Sequence, residues 1–264
     1  MRAFARIAVL ATVVFAVALF LQPHVLQAQG PPPGGGPPGG EPAPKNLKVL
    51  PKDMSRREVI DVMRNFSRSL GVRCTECHVS KVQGSDRPED MDYAADKKDE
   101  KEAARNMMKM VDNINGQISK MNFKEPVQKV GCVTCHHGVK IPQTIGQVMQ
   151  ATIADKGVDA AIDQYRKLRG DYYGSAAYDF SPEALNAVAN DLAQTKKDFD
   201  GATKLVNLSL EYDPKNSYTY MGLGTIQMAK GDKAAAIASF QKAVELDPSN
   251  GRAKMMLDRA KGGQ

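Results

Sequence analysis

No tryptophan occurs in this chain, no apolar run reaches bilayer length, no basic block stands out, and no cysteine lies outside two short stretches. Each absence removes something. The longest apolar run, Ile7 to Leu21, has fifteen residues and a single hydroxyl, Thr12, whereas a spanning helix needs ~20. Preceded by Arg2 and Arg6 and closed by Gln22-Pro23, it reads as the apolar part of a secretion signal cut after Ala28, or as an uncleaved anchor. No cysteine directly follows it, which removes a lipid anchor at that point. Basic residues are scattered without interleaved aromatics, so nucleic acid is not an expected partner. The missing tryptophan decides little.

The stretch PPPGGGPPGGEPAP, from Pro31 to Pro44, cannot build a core and reads as a tether. The sequence therefore divides into a signal or anchor (1–28), a linker (29–45) and two modest domains (46–145 and 146–264). The charge of +6 is uneven: 46–145 holds 18 basic against 14 acidic residues, and 146–264 holds 15 of each.

All four cysteines and three of four histidines fall in GVRCTECH, from Gly71, and GCVTCHHG, from Gly131. Four thiolates could bind zinc, but zinc gives no reason for a histidine after each pair. Disulfide exchange is expected once, beside a βαβ pattern that this sequence lacks. Plain structural cysteines would have no preferred neighbour. Cys-x-x-Cys-His is the attachment signature of c-type haem. On one helical turn, residues three apart share a face, so both sulfurs meet one porphyrin and the next residue reaches the iron. Cys74, Cys77 and His78 are thus expected to hold one haem, and Cys132, Cys135 and His136 a second.

The sixth iron ligand decides between ligand binding and electron carriage. Before the first motif, a helix is expected from Ser55, which forms a capping box with Glu58, to Gly71, with Val59, Met63, Phe66 and Leu70 in one stripe. Before the second, Ala103, Met107, Met110, Val111, Ile114 and Ile118 repeat the plan. Such methionines are either core filler or axial ligands.

VIDVMRNF, GVRCTECH, AARNMMKMVDNIN and GCVTCHHGVKIP, in that order over Asn46 to Pro142, resemble the cytochrome subunit of photosynthetic reaction centres. The resemblance implies periplasmic one-electron transfer and methionine ligands drawn from the helix before each motif. Those are Met63 for the first haem and Met107 for the second, with Met110 as the alternative. His137, where the family usually has arginine, is expected at the surface or beside a propionate. His24, at the signal end, has no role. The family's subunit carries four haems; this chain has two motifs and then changes character.

Asp213-Pro214 and Asp247-Pro248 stand thirty-four residues apart, the tetratricopeptide period. Gly222, Ala229, Gly231, Ala236, Phe240, Ala243 and Pro248 follow its small-large pattern. A second unit precedes this one from Phe180 and a degenerate unit from Ile145, while Arg252 to Lys261 closes the array.

The expected protein is all-α: a dihaem cytochrome c, not an enzyme, followed by a short repeat array that docks it to redox donors and acceptors, a membrane-bound electron-transfer complex among the candidates. A dihaem peroxidase and a haem-containing scaffold or assembly factor are the competing readings.

Overall fold

The computed structural model describes residues 43–262; the expected signal, and the tether up to residue 42, lie outside the described residues. Among the described residues, eleven α-helices, a 3-10 turn (Pro88–Asp90), a π-helical segment that extends one α-helix (Leu192–Lys196) and one antiparallel pair of two-residue strands make up the regular structure. No helix among them is long and apolar enough to cross a membrane.

Helix α1 (Arg56–Leu70) starts where the sequence says it should. Ser55 accepts from the Glu58 amide, the Glu58 carboxylate accepts from the Ser55 amide, and Gly71 ends the helix at φ 65°. Val59, Met63, Phe66 and Leu70 are all half-buried along one face. A single turn, α2 (Cys74–Cys77), carries the first motif. A loop then pairs β1 (Val79–Ser80) with β2 (Met91–Asp92) and leads into α3 (Asp99–Ile118), whose first turn is acidic as its amino-terminal dipole favours. The second motif forms α4 (Cys132–His136).

The inward face of α3 matches the expected stripe in its second half, where Val111, Ile114 and Ile118 are half-buried. In the first half Ala103, Met107 and Met110 are exposed, and Ala104, Arg105 and Met108 face the protein instead. Apolar residues stand at neighbouring positions there, and tertiary packing selects the face that contains Met108.

Seven helices follow as hairpins: α5 (Ile145–Lys156) with α6 (Val158–Tyr172), α7 (Pro182–Asp191) with α8 (Phe199–Tyr212), α9 (Ser217–Lys230) with α10 (Lys233–Leu246), and α11 (Gly251–Lys261) as the closing helix. The thirty-four-residue period is written into the caps. Asp198 and Asp232 cap α8 and α10; Asn216 and Asn250 cap α9 and α11. One core runs from Ile145 to Ile226, with Met149, Tyr165, Leu185, Leu205 and Leu208 nearly inaccessible. Ile145, placed at the end of the cytochrome half by sequence reading, is 1 % exposed and belongs to this core. Its neighbour Thr144 caps α5, which begins where the degenerate unit was expected to start. A second correction concerns Gly222. It meets nothing, and the glycine that Phe240 packs against is Gly224, where an added Cβ would stand 2.6 Å from the ring.

Candidate haem-binding motifs and repeat groove

Cys74 and Cys77 are the first and last residues of α2, one helical turn apart, and both thiols are free. Burial, reinforced by the Glu76 and Glu100 carboxylates, pushes the Cys77 thiol upward. His78 caps the turn and is 8 % exposed. Burial lowers its basicity and the nearby Lys101 and Arg105 lower it further, which keeps the imidazole neutral. Its Nδ1 is buried without a partner, and the Tyr93 ring stands edge-on at 5.1 Å.

Tyr93 is placed by a polar hub. Asp96 accepts from Arg105 Nη2 at 2.8 Å and pairs with Lys48 at 2.7 Å and Lys101 at 3.0 Å, and the Asn46 amide donates to it at 3.0 Å. Those donors, Arg105 first, hold its carboxyl far below the usual carboxylate range. Lys101 also donates to the Tyr93 and Ala95 carbonyls, and Asn46 to that of Ala94. The hub thus fixes residues 93–96 against α3 and, through Tyr93, one flank of His78.

The second motif is built differently. Cys132 and Cys135 again share a face of one short helix, with Cys132 pushed upward by burial. His136 is partly buried, and its Nδ1 lies 3.1 Å from the Val139 carbonyl oxygen. With Nδ1–H donating to that carbonyl, Nε2 carries the lone pair a metal takes. Asn115 on α3 bonds the backbone of Val130 in both directions, at 2.9 and 2.8 Å, and so fixes the segment entering the motif. Gly131 N–H donates to the Thr134 hydroxyl at 3.0 Å. His137 is exposed at φ 50°, the turn that ends α4.

These residues fit c-type haem. Each motif offers two unpaired thiols and one neutral-capable imidazole on a single turn. Exposed apolar side chains (Met107, Met110, Phe123 and Val133) lie on α3, in the segment after it and within the second motif. Zinc fits poorly: among the described residues no three His, Cys, Asp or Glu side chains converge on a metal position. Met63 is half-buried on α1, while Met107 and Met110 are each 48 % exposed on α3.

The two motifs are cross-packed. Helix α1, which leads into the first, packs on α4 of the second, and α2 packs on α3. Gly138 N–H donates to the Ser69 carbonyl at 2.8 Å, and a Cβ on Gly71 would overlap the Gly138 carbonyl oxygen. Lys140, just past the second motif, pairs with Glu76 inside the first and with Glu100 at 3.4 Å. Sequence reasoning missed Ser69, Tyr93, Asn115 and Lys140. Only Asn115 left a trace, as the last residue of the NIN that follows the methionines.

In the repeats, a groove of about 610 Å³ is lined by Asn186, Asn190 and Gln194 of α7 and its extension, Tyr218 and Thr225 of α9, and Arg252 of α11. Asn186 Nδ2 donates to Thr219 at 2.8 Å, and its Oδ1 is buried without a partner.

Two Cys-x-x-Cys-His turns thus precede an array of stacked helical hairpins. Residues 82–180 match the family model of the photosynthetic reaction centre cytochrome C subunit, and residues 217–250 that of the tetratricopeptide repeat. The first match begins after the first motif, contains the second, and runs through α5 and α6 to Phe180. No curated protein matches the chain. Solved structures similar to it include the first tetratricopeptide domain of Spaghetti (RPAP3) bound to an HSP90 peptide, at 21 % identity over 44 % of this chain and 87 % of that one, TM-score 0.31. Another is the Sgt2 domain from Aspergillus fumigatus, at 21 % over 44 % and 74 %, TM-score 0.31. A third is the Arabidopsis OM64 domain, at 20 % over 44 % and 91 %, TM-score 0.31.

Proposed function

We propose that the protein is an exported, periplasmic dihaem c-type cytochrome that carries single electrons and is docked to its redox partners by its repeats. Residues 1–28 act as the signal, or as a retained membrane anchor, 29–45 as tether, 46–144 as cytochrome and 145–264 as docking array. The observation that carries this reading is the His136–Val139 bond, which turns Nε2 of His136 into a metal-ready donor beside two free thiols.

Haem, once attached, supplies a one-electron iron couple. The chain's own residues do the rest. Cys74 and Cys77, and Cys132 and Cys135, hold the two macrocycles by thioether bonds. His78 and His136 give the proximal nitrogens. Met63 would hold the first iron together with His78, and Met107 the second together with His136, with Met110 one turn away as the alternative to Met107. Lys140 and Glu76 tie the two attachment turns together, which limits their relative movement when charge changes. The groove between α7 and α9 takes a segment of the partner; Val206, Met221 and Ile226 lie among its polar side chains, which favours packing over charge steering, so docking should weaken only modestly between low and physiological salt.

Acid-acetone extraction followed by mass spectrometry tests attachment. The expected mass carries two haems, and Cys74→Ala with Cys77→Ala leaves one; a mass without haem sinks the reading. Optical spectra test the ligands. Both irons should be low-spin, and Met63→Ala should open one to carbon monoxide while Met110→Ala leaves both closed. A high-spin iron in the untouched protein would favour a peroxidase-type enzyme.

A further inference from the structure

The repeat half holds a second cavity, of about 420 Å³, on a different set of elements from the groove. It is built by the carboxyl-terminal ends of α6 and α8 and by residues 173–182, the connection between α6 and α7. Its centre is Arg169. The guanidinium lies 3.9 Å from the ring centroid of Tyr173 and 4.1 Å from that of Tyr212, with Phe180 at 5.7 Å. One turn earlier, Arg166 faces Glu211, which accepts from its Nη2 at 2.9 and 3.0 Å. Arg169 has no such partner: among the described residues no carboxylate pairs with it, although Asp213 lines the same cavity. Its protein acceptors are the Phe180 carbonyl at 3.3 Å and the buried Tyr165 hydroxyl. A guanidinium has five N–H donors in one plane, and stacking occupies its faces, not its edge. Donors therefore remain along an edge fixed by two rings.

Ser209 also lines this cavity. It is 2 % exposed, and its Oγ has no hydrogen-bond partner. Helical serines ordinarily return their hydroxyl to a carbonyl one turn back. A buried hydroxyl without a partner is destabilising, which a ligand oxygen at this place relieves.

We propose that this cavity is a binding site for a carboxylate carried on a flat apolar body. The carboxylate accepts from the edge of Arg169, a charge-assisted and planar pairing. The body lies against the Tyr173 and Phe180 rings. Such a group comes from a free aromatic acid or from the carboxyl end of a peptide whose last residue is aromatic. The site is independent of haem attachment and of the α7–α9 groove.

The test uses full-length, haem-loaded protein and isothermal titration with four probes. These are benzoate, benzyl alcohol, acetyl-Gly-Phe with a free carboxyl end, and the same dipeptide as its amide. At least one acid should bind saturably, with its uncharged counterpart at least tenfold weaker. Benzoate as the tighter acid assigns the site to small aromatic acids; the dipeptide acid as the tighter assigns it to chain ends. Arg169→Gln should weaken the bound acid at least tenfold. Tyr173→Leu, at an exposed side chain whose loss leaves the core intact, should weaken it several-fold by freeing the guanidinium to swing. Equal binding of acid and amide, no saturable binding of either acid at millimolar concentration, or affinity unchanged in both variants overturns the proposal.

Discussion

The two halves of the described chain hold themselves together by opposite means. Residues 145–262 bury an apolar core shared by successive hairpins, with side chains such as Tyr165, Leu205 and Phe240 almost wholly inaccessible. Between residues 43 and 144 the buried set is small and largely polar: Met91 and Val139, with Ser69, His78 and Arg105. Order there comes from cross-linking polar groups, namely the Asp96 hub, the Asn115–Val130 pair and the Lys140–Glu76 tie. A repeat array buries its own surface and needs nothing else. A hundred-residue segment with so little apolar burial has to obtain stability elsewhere, because conformational entropy opposes every residue that it fixes. Covalent haem is such a source.

The sharpest way to break this contrast is to make the protein without haem attachment. The cytochrome half should then lose its structure while the repeats keep theirs. Limited proteolysis should remove residues 46–144 and leave a resistant fragment beginning near Thr144. If both halves survive, the polar ties alone suffice.

Phe240→Ala acts on the other side. It empties the contact with Gly224 and should cost about 3–5 kcal/mol, read as a lowered thermal midpoint for the repeats with haem spectra unchanged. A spectral change would mean that the halves are coupled more closely than their separate cores imply.

Gly71→Ala should cost about 1–3 kcal/mol, since it combines a left-handed backbone with overlap on the Gly138 carbonyl. Its effect should reach both motifs. Visible circular dichroism should change at both haems, whereas an isolated first motif would alter only one.

The smallest effect belongs to Asp96 and is a matter of pH. Its carboxyl is depressed in the folded protein, so its stabilising contribution is present above the ordinary aspartate value of ~3.9 and is lost as pH falls below it. Acid titration should therefore loosen the cytochrome half first. Asp96→Asn should lower its stability near neutrality and flatten that acid limb, leaving the repeats unaffected.

Legibility in the sequence followed the range of the interactions. Helix α1, its capping box and its glycine stop are local, and they were readable residue by residue. The repeats were readable because their period recurs. Even there, two glycines two residues apart could not be told apart, since only the position of Phe240 separates Gly224 from Gly222. In the first half of α3 apolar residues stand at neighbouring positions, and packing chose Met108 over Met107 for the inward face. The attachment residues Cys74, Cys77, His78, Cys132, Cys135 and His136 stood out by spacing, whereas Tyr93 and Lys140 act across distances that no local pattern records.

The crossing at Gly71 and Gly138 also has a consequence in time. A chain made from its amino terminus presents Cys74 and His78 long before Gly138 exists, so the first attachment turn waits without its packing partner for the next 60 residues. Closing a loop of that length carries an entropic cost that no local helix offsets. Until then the first motif stands on an open strand, and arrival of the second locks both into place. A chain stopped between the two motifs should hold a haem that is covalently attached yet loosely seated, which makes the second motif the clasp of the first.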